Sequence, residues 1–162
     1  MEPNSDVAWI RPALVGSYED REKIRDLFSR YAEAADNGDG EAWAATFTED
    51  GWMYSPSHPS GRVTGRRDLA AMCSGNAAWL ADNGVVKQRH INTNLRISIE
   101  GETAWATSNI LYFWLRADGK TELVGIGGYR DRLRKVADEW YFESRDGYFD
   151  KDAPTMPGVE YS

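Results

Sequence analysis

Among 162 residues there is a single cysteine, Cys73, and only two histidines, His58 and His90. One cysteine excludes an intrachain disulfide and a cysteine-based zinc site, and two distant histidines offer no metal-ligand spacing. A chain of this length can bury most of its apolar surface and fold on its core alone, so one domain is expected, with no metal and no cofactor. No apolar run approaches the roughly 18 residues of a membrane span. The opening stretch, MEPNSDVAWIRPALVG, has neither a basic start nor a continuous apolar segment, so it does not read as a signal peptide. A cytoplasmic location is the simplest expectation. Positive charge is also short: the formal net charge is -7. The densest basic run, RDRLRK at residues 130–135, is interrupted by Asp131 and reads as the solvated face of a strand. Nucleic acid and membrane are therefore not expected partners. No G-x-S-x-G nucleophile motif occurs. The glycines of GIGGY, residues 125–129, lie inside a strand-like stretch and open no helix, so they read as allowing a bulge or sharp curvature rather than phosphate binding.

What is abundant is aromatic side chain, 12% of the sequence, with seven tryptophans. Aromatics build cores and interfaces and also line pockets for apolar, ring-bearing ligands. The first apolar stripe is Ile24, Leu27, Phe28, Tyr31 and Ala35, at helical spacing. Ser17, with Asp20 three residues on, caps its start, and Asn37-Gly38 ends it, which leaves Asp36 in the last turn. A short helix is expected over residues 41–47, a turn at 49–51, and strands at 52–54 and 62–64 around a proline-containing loop. A third helix over residues 67–82 places Leu69, Met72, Cys73, Asn76 and Leu80 on one face, so Cys73 reads as a core residue and not a nucleophile. Four long strands follow, at residues 85–99, 103–115, 121–136 and 140–148, joined by tight turns as in an antiparallel meander. Residues 1–16 read as an arm. The tail, residues 152–162, is expected either to lie over a pocket mouth or a neighbouring subunit through Met156 and Tyr161, or to be disordered. The expected class is α+β: a cone-shaped α+β barrel with three helices on a curved, mainly antiparallel sheet and an apolar pocket between.

That order, and several local segments, resemble the SnoaL-like branch of the nuclear-transport-factor-2-like superfamily. The carrying segments are REKIRDLFSRYAEAADNGDGEAWAATFTEDGWM, VTGRRDLAAM, RHINTNLRI, and GGYRDRLRK followed by EWYFESR, which together span roughly residues 17–148. Within the branch, scytalone dehydratase, bile-acid 7α-dehydratase and hexachlorocyclohexane dehydrochlorinase share an Asp–His dyad. Asp36 and His90 match its two places, and Tyr31 matches a tyrosine of the bile-acid enzyme. The resemblance implies a cofactor-independent lyase (dehydratase), or an isomerase or cyclase, acting on a fairly apolar, ring-bearing small molecule. It also implies a homo-oligomer, a trimer in preference to a dimer. The superfamily contains non-catalytic proteins too, so a ligand-binding protein or the small subunit of a ring-hydroxylating dioxygenase stands as the alternative.

The residue types suit that chemistry. Histidine titrates near neutrality and can take and return a proton, while a carboxylate on its other ring nitrogen fixes the tautomer. His90 alternates with Gln88, Asn92 and Asn94, whereas Ile91, Leu95, Ile97 and Ile99 take the opposite face. His90 thus lies on a polar row that faces either solvent or a pocket. Tyr31 and Tyr54 are candidate hydrogen-bond donors to a substrate oxygen, with Asn92, Asn94 and Asn109 as further polar contacts. Arg130 and Arg145 are the candidate basic partners. His58 falls in a loop away from the expected dyad. The alternation of Ile110, Tyr112 and Trp114 with Leu111, Phe113 and Leu115 makes both faces of one strand apolar, which calls for a partner surface outside the sheet.

Overall fold

The computed structural model describes residues 16–56 and 58–150. The expected arm (apart from Gly16) and the expected contacts of Met156 and Tyr161 lie outside the described residues.

Helix α1 (Tyr18–Asn37) starts where its cap requires. The Ser17 hydroxyl oxygen accepts from the Asp20 amide at 3.1 Å. Gly38 stops the helix at φ +70°, a conformation that costs glycine little, and its amide reaches the Ala34 and Ala35 carbonyls. Helix α2 (Gly40–Ala44) is shorter than its sequence pattern, because the chain turns earlier into strand β1 (Phe47–Tyr54). The turn expected at residues 49–51 is absorbed into β1 as an irregularity in its pairing with the last strand, between Phe47 and Trp52. Strand β2 (Arg62–Thr64), helix α3 (Arg66–Asp82) and four long strands follow: β3 (Val85–Glu100), β4 (Thr103–Arg116), β5 (Thr121–Val136) and β6 (Glu139–Phe149).

These strands form a six-stranded sheet in the order β2-β1-β6-β5-β4-β3. All pairs are antiparallel except β1 with β6. The sheet is curved and unclosed, with the three helices packed on it. Its curvature has local causes. Gly125 flanks a bulge at which Phe113 pairs with Leu123. A Cβ on Gly127 would collide with the Tyr148 carbonyl, so the strands approach there only because the side chain is missing.

A second bulge decides which way His90 points. The β3–β4 register shifts between Thr93 and Arg96, and Asn94 sits at φ +53°, a conformation that asparagine tolerates better than most residues. Ahead of the bulge Gln88, His90 and Asn92 face inward and Ile91 is 44% exposed. Beyond it Ile97 and Ile99 are buried and Leu95 packs on the core. The single alternation expected for β3 is therefore wrong: Ile91 and Ile97 lie on opposite faces because the extra residue reverses the phase.

On the outer face the row Ile91, Leu111 and Ile126 runs across β3, β4 and β5 in register, with Phe113 and Leu123 paired beside it. Ile91, Leu115, Leu123 and Ile126 are each more than a third exposed. Among the described residues no helix is long and apolar enough to cross a membrane.

Candidate active site

Between the helices and the concave face of the sheet lies a cavity of about 990 Å³. Most of its lining is apolar, including Trp43, Met53, Met72, Trp79, Ile110 and Phe149. Cys73 also lines it, and burial pushes this thiol up to about 11, so it stays protonated and behaves as a core residue. Among the described residues no group of three or more histidine, cysteine or acidic side chains is gathered closely enough to hold a metal.

The polar end of the cavity is built where the last turn of α1 meets β3. The side chains of Asp36 and His90, 54 residues apart in sequence, meet at 2.7 Å between Oδ1 and Nδ1. The same carboxylate oxygen accepts from the His90 backbone amide at 3.0 Å. Arg89 Nη1 stands 3.6 Å from the other oxygen. The Asp36 side chain is 9% exposed and that of His90 16%, so solvent screens the pair only weakly. His90 borders the cavity while Asp36 lies behind it. An imidazole that donates from Nδ1 to a carboxylate leaves the Nε2 lone pair available as a base.

Two further side chains hold this geometry. Gln88, two residues before His90 and on the same face, donates from Nε2 to the Ala35 carbonyl at 2.6 Å, next to Asp36. Its Oε1 accepts from the Tyr112 hydroxyl at 2.5 Å. Tyr112 is the cross-strand partner of His90, and the two rings stack at 4.5 Å between centroids. Burial pushes the Tyr112 phenol up to about 12, which keeps it protonated as a donor.

The other expected residues divide. Tyr31 lines the cavity but is almost wholly buried among Trp43, Phe47, Tyr129 and Phe142, with its hydroxyl on Met53 Sδ at 3.4 Å. Tyr54 is outside the lining. Its chain neighbours Met53 and Ser55 border the cavity in its place. Asn109 is exposed, because on β4 the inward positions fall to Ser108 and Ile110. Asn94 is exposed at the bulge. Asn92 points inward but does not border the cavity; its Oδ1 accepts from Arg145 Nη2 at 3.5 Å. His58 stands on the cavity wall in the β1–β2 loop, its Nδ1 accepting from the Ser60 amide at 3.3 Å. Arg130 stacks on Tyr148.

Arg145 and Asp131 change the reading of the basic run most. Both are fully buried and face each other on β6 and β5. The guanidinium lies on the rings of Tyr129 at 3.8 Å, Tyr31 at 4.1 Å, Phe142 at 4.6 Å and Phe28 at 4.9 Å. Arg145 Nε and Asp131 Oδ1 are 3.5 Å apart, an ion pair by distance, yet neither group has hydrogen-bonding geometry to the other. Burial therefore dominates over Arg145 and raises the Asp131 carboxyl to about 7. The run at residues 130–135 is thus not one solvated face. Tyr129, Asp131 and Leu133 alternate inward, and the apolar neighbours of Asp131 in that period were the signal that it is buried. For Gln88 and Tyr112 no motif exists; only the position of each on the row of His90 marked them.

A family profile for the SnoaL-like domain matches residues 16–146. The chain belongs to the SnoaL-like family. Solved structures similar to this SnoaL-like chain include a variant of a Mycobacterium tuberculosis protein of unknown function, 29% identical, with a TM-score of 0.72 over 82% of this chain and 73% of that one. An NTF2-like protein from Novosphingobium aromaticivorans is 27% identical, with a TM-score of 0.72, covering 83% and 84%. ActVI-ORFA from Streptomyces coelicolor is 26% identical, with a TM-score of 0.68, covering 80% and 96%. No curated protein matches the chain.

Proposed function

We propose that this SnoaL-like protein is a cofactor-independent lyase, a dehydratase, acting on a ring-bearing, fairly apolar β-hydroxy-carbonyl compound, with His90 as general base and Asp36 as its orienting carboxylate. The observation that carries this is the 2.7 Å Asp36–His90 contact at the wall of a large, mainly apolar cavity. His90 Nε2 takes the proton from the carbon next to the carbonyl, and the C–H electron pair moves into an enolate. The enolate then re-forms the carbonyl as the carbon–carbon double bond forms and the β C–O bond breaks. The departing hydroxyl takes the proton back from the imidazolium, so one substrate gives one conjugated enone and one water. Asp36 stabilises the transient imidazolium, and the apolar walls strengthen that interaction by excluding water. Return of the proton to a different carbon would make the same site an isomerase.

The proton-abstraction half is testable without the physiological substrate. In D₂O the protein should accelerate deuteration next to the carbonyl of bicyclic ketones such as 2-tetralone, followed by NMR. No protein-dependent exchange with any such ketone would overturn the base assignment and favour a ligand-binding role.

The outer apolar row of Ile91, Leu111 and Ile126 supports self-association through the convex face of the sheet. Light scattering at micromolar concentration should show a homo-oligomer; a monomer would remove this part of the proposal.

A further inference from the structure

We infer that Tyr129 is a substrate-contacting hydroxyl donor that, with Tyr31, forms an oxygen-binding subsite in the cavity for the carbonyl or enolate oxygen of a ring-bearing ligand.

The buried tyrosine hydroxyls of the cavity differ in what they bond. Three buried tyrosines line the cavity: Tyr31, Tyr112 and Tyr129. The Tyr112 proton is committed to a strong acceptor, Gln88 Oε1. That of Tyr31 points at a thioether, Met53 Sδ at 3.4 Å, which is a weak acceptor and yields readily to an oxygen. The Tyr129 ring lies edge-on to that of Tyr31, at 6.4 Å between centroids. The two rings therefore sit side by side at the cavity wall, and among the described residues neither hydroxyl is bonded to an oxygen acceptor such as Gln88 Oε1.

The Tyr129 ring is held in place. It points inward from β5 opposite Gly147, where a Cβ would come within 3.2 Å of the ring edge. Its face carries the Arg145 guanidinium at 3.8 Å, and the same cation lies on Tyr31 at 4.1 Å. Arg145 does not border the cavity, so it acts through the rings: a cation on a phenol face draws electron density from the hydroxyl and favours negative charge next to it. Burial works in the opposite direction on both phenols and prevails, so they remain protonated donors at neutral pH. Tyr129 lines the same cavity as His90. Its catalytic meaning rests on His90 acting as the base: charge released by proton removal would collect on the oxygen these hydroxyls hold. Its binding meaning does not.

The test uses two probes of one shape, 2-naphthol and naphthalene, with fluorescence titration of the wild type and Tyr129→Phe. The wild type should prefer the oxygenated probe by about tenfold, the effect of one well-placed hydrogen bond in a dry site. Tyr129→Phe should keep its affinity for naphthalene and lose most of that preference. A preference unchanged in Tyr129→Phe would overturn the assignment, as would its absence in the wild type. Parallel loss of naphthalene binding would show that the side chain packs and does not donate, which also overturns it. No turnover is required, so failure here is separable from failure of the base assignment, which the deuteration experiment reads.

Discussion

Replacing His90 with alanine is expected to slow the deuteration of bicyclic ketones by roughly 10² to 10⁴, the usual contribution of a positioned general base. The variant should remain folded, because His90 lies at the cavity wall and its truncation leaves the Gln88–Ala35 bond between β3 and α1 in place. Asp36→Asn should slow the reaction less. The amide still occupies the position beside Nδ1, but it carries no charge to stabilise the imidazolium and its NH₂ group can impose the wrong tautomer. The two variants distinguish catalysis from scaffolding when rates are read beside thermal midpoints. Full exchange rates in both would sink the dyad mechanism, and a collapse in stability matching the loss of rate would assign the pair to structure.

The second large effect is on stability. Arg145→Ala should destabilise the protein by about 3–5 kcal/mol, the range seen when one partner of a buried pair is removed. Asp131 would be left buried without the cation it pairs with, and four aromatic rings would lose the group they enclose. The double variant Asp131→Leu, Arg145→Met should recover much of that loss, because apolar replacement removes both desolvation costs together. Urea unfolding of the two variants reads this directly, and a midpoint for Arg145→Ala close to wild type would refute it. The pH dependence has a definite sign. The folded Asp131 carboxyl is raised to about 7 from the ordinary 3.8, so the native state holds its proton more tightly than the unfolded chain does. The stability contributed by this group is full below about pH 4 and is lost as pH rises through about 7. Asp131→Asn should flatten that part of the stability profile.

Much of this architecture was legible in local chemistry. Ser17 and Gly38 bracket α1, Gly84 separates α3 from β3, and the turn residues at 101 and 119 separate strands whose limits differ from expectation by a residue or so. The dyad was legible only through family resemblance, because neither a helix-end aspartate nor a strand histidine is distinctive alone. What local pattern could not supply was phase. Period-two reading assigns faces correctly until an extra residue enters, and Asn94 inverts the assignment for half of β3. Tyr54 and Asn109 stand off the cavity for a simpler reason: in both strands their neighbours hold the inward positions, and alternation outweighs polar type. Asp131 follows the same rule: a charge run suggests water, but its strand neighbours Tyr129 and Leu133 are core residues and it is buried with them.

The parallel pairing of β1 with β6 bears on how the molecule comes into being. Met53 finds Arg145 as its backbone neighbour, and Phe47 finds Phe142, each across more than 90 residues of chain. The closing contacts of the core are thus among the most distant in sequence, an arrangement that carries a large loop-closure cost and belongs with slow folding. During synthesis α1, α2 and β1 emerge long before the strand that completes them, and their aromatic faces must wait unshielded. Among the described residues, β1 therefore gains its partner across the sheet only when β6 arrives.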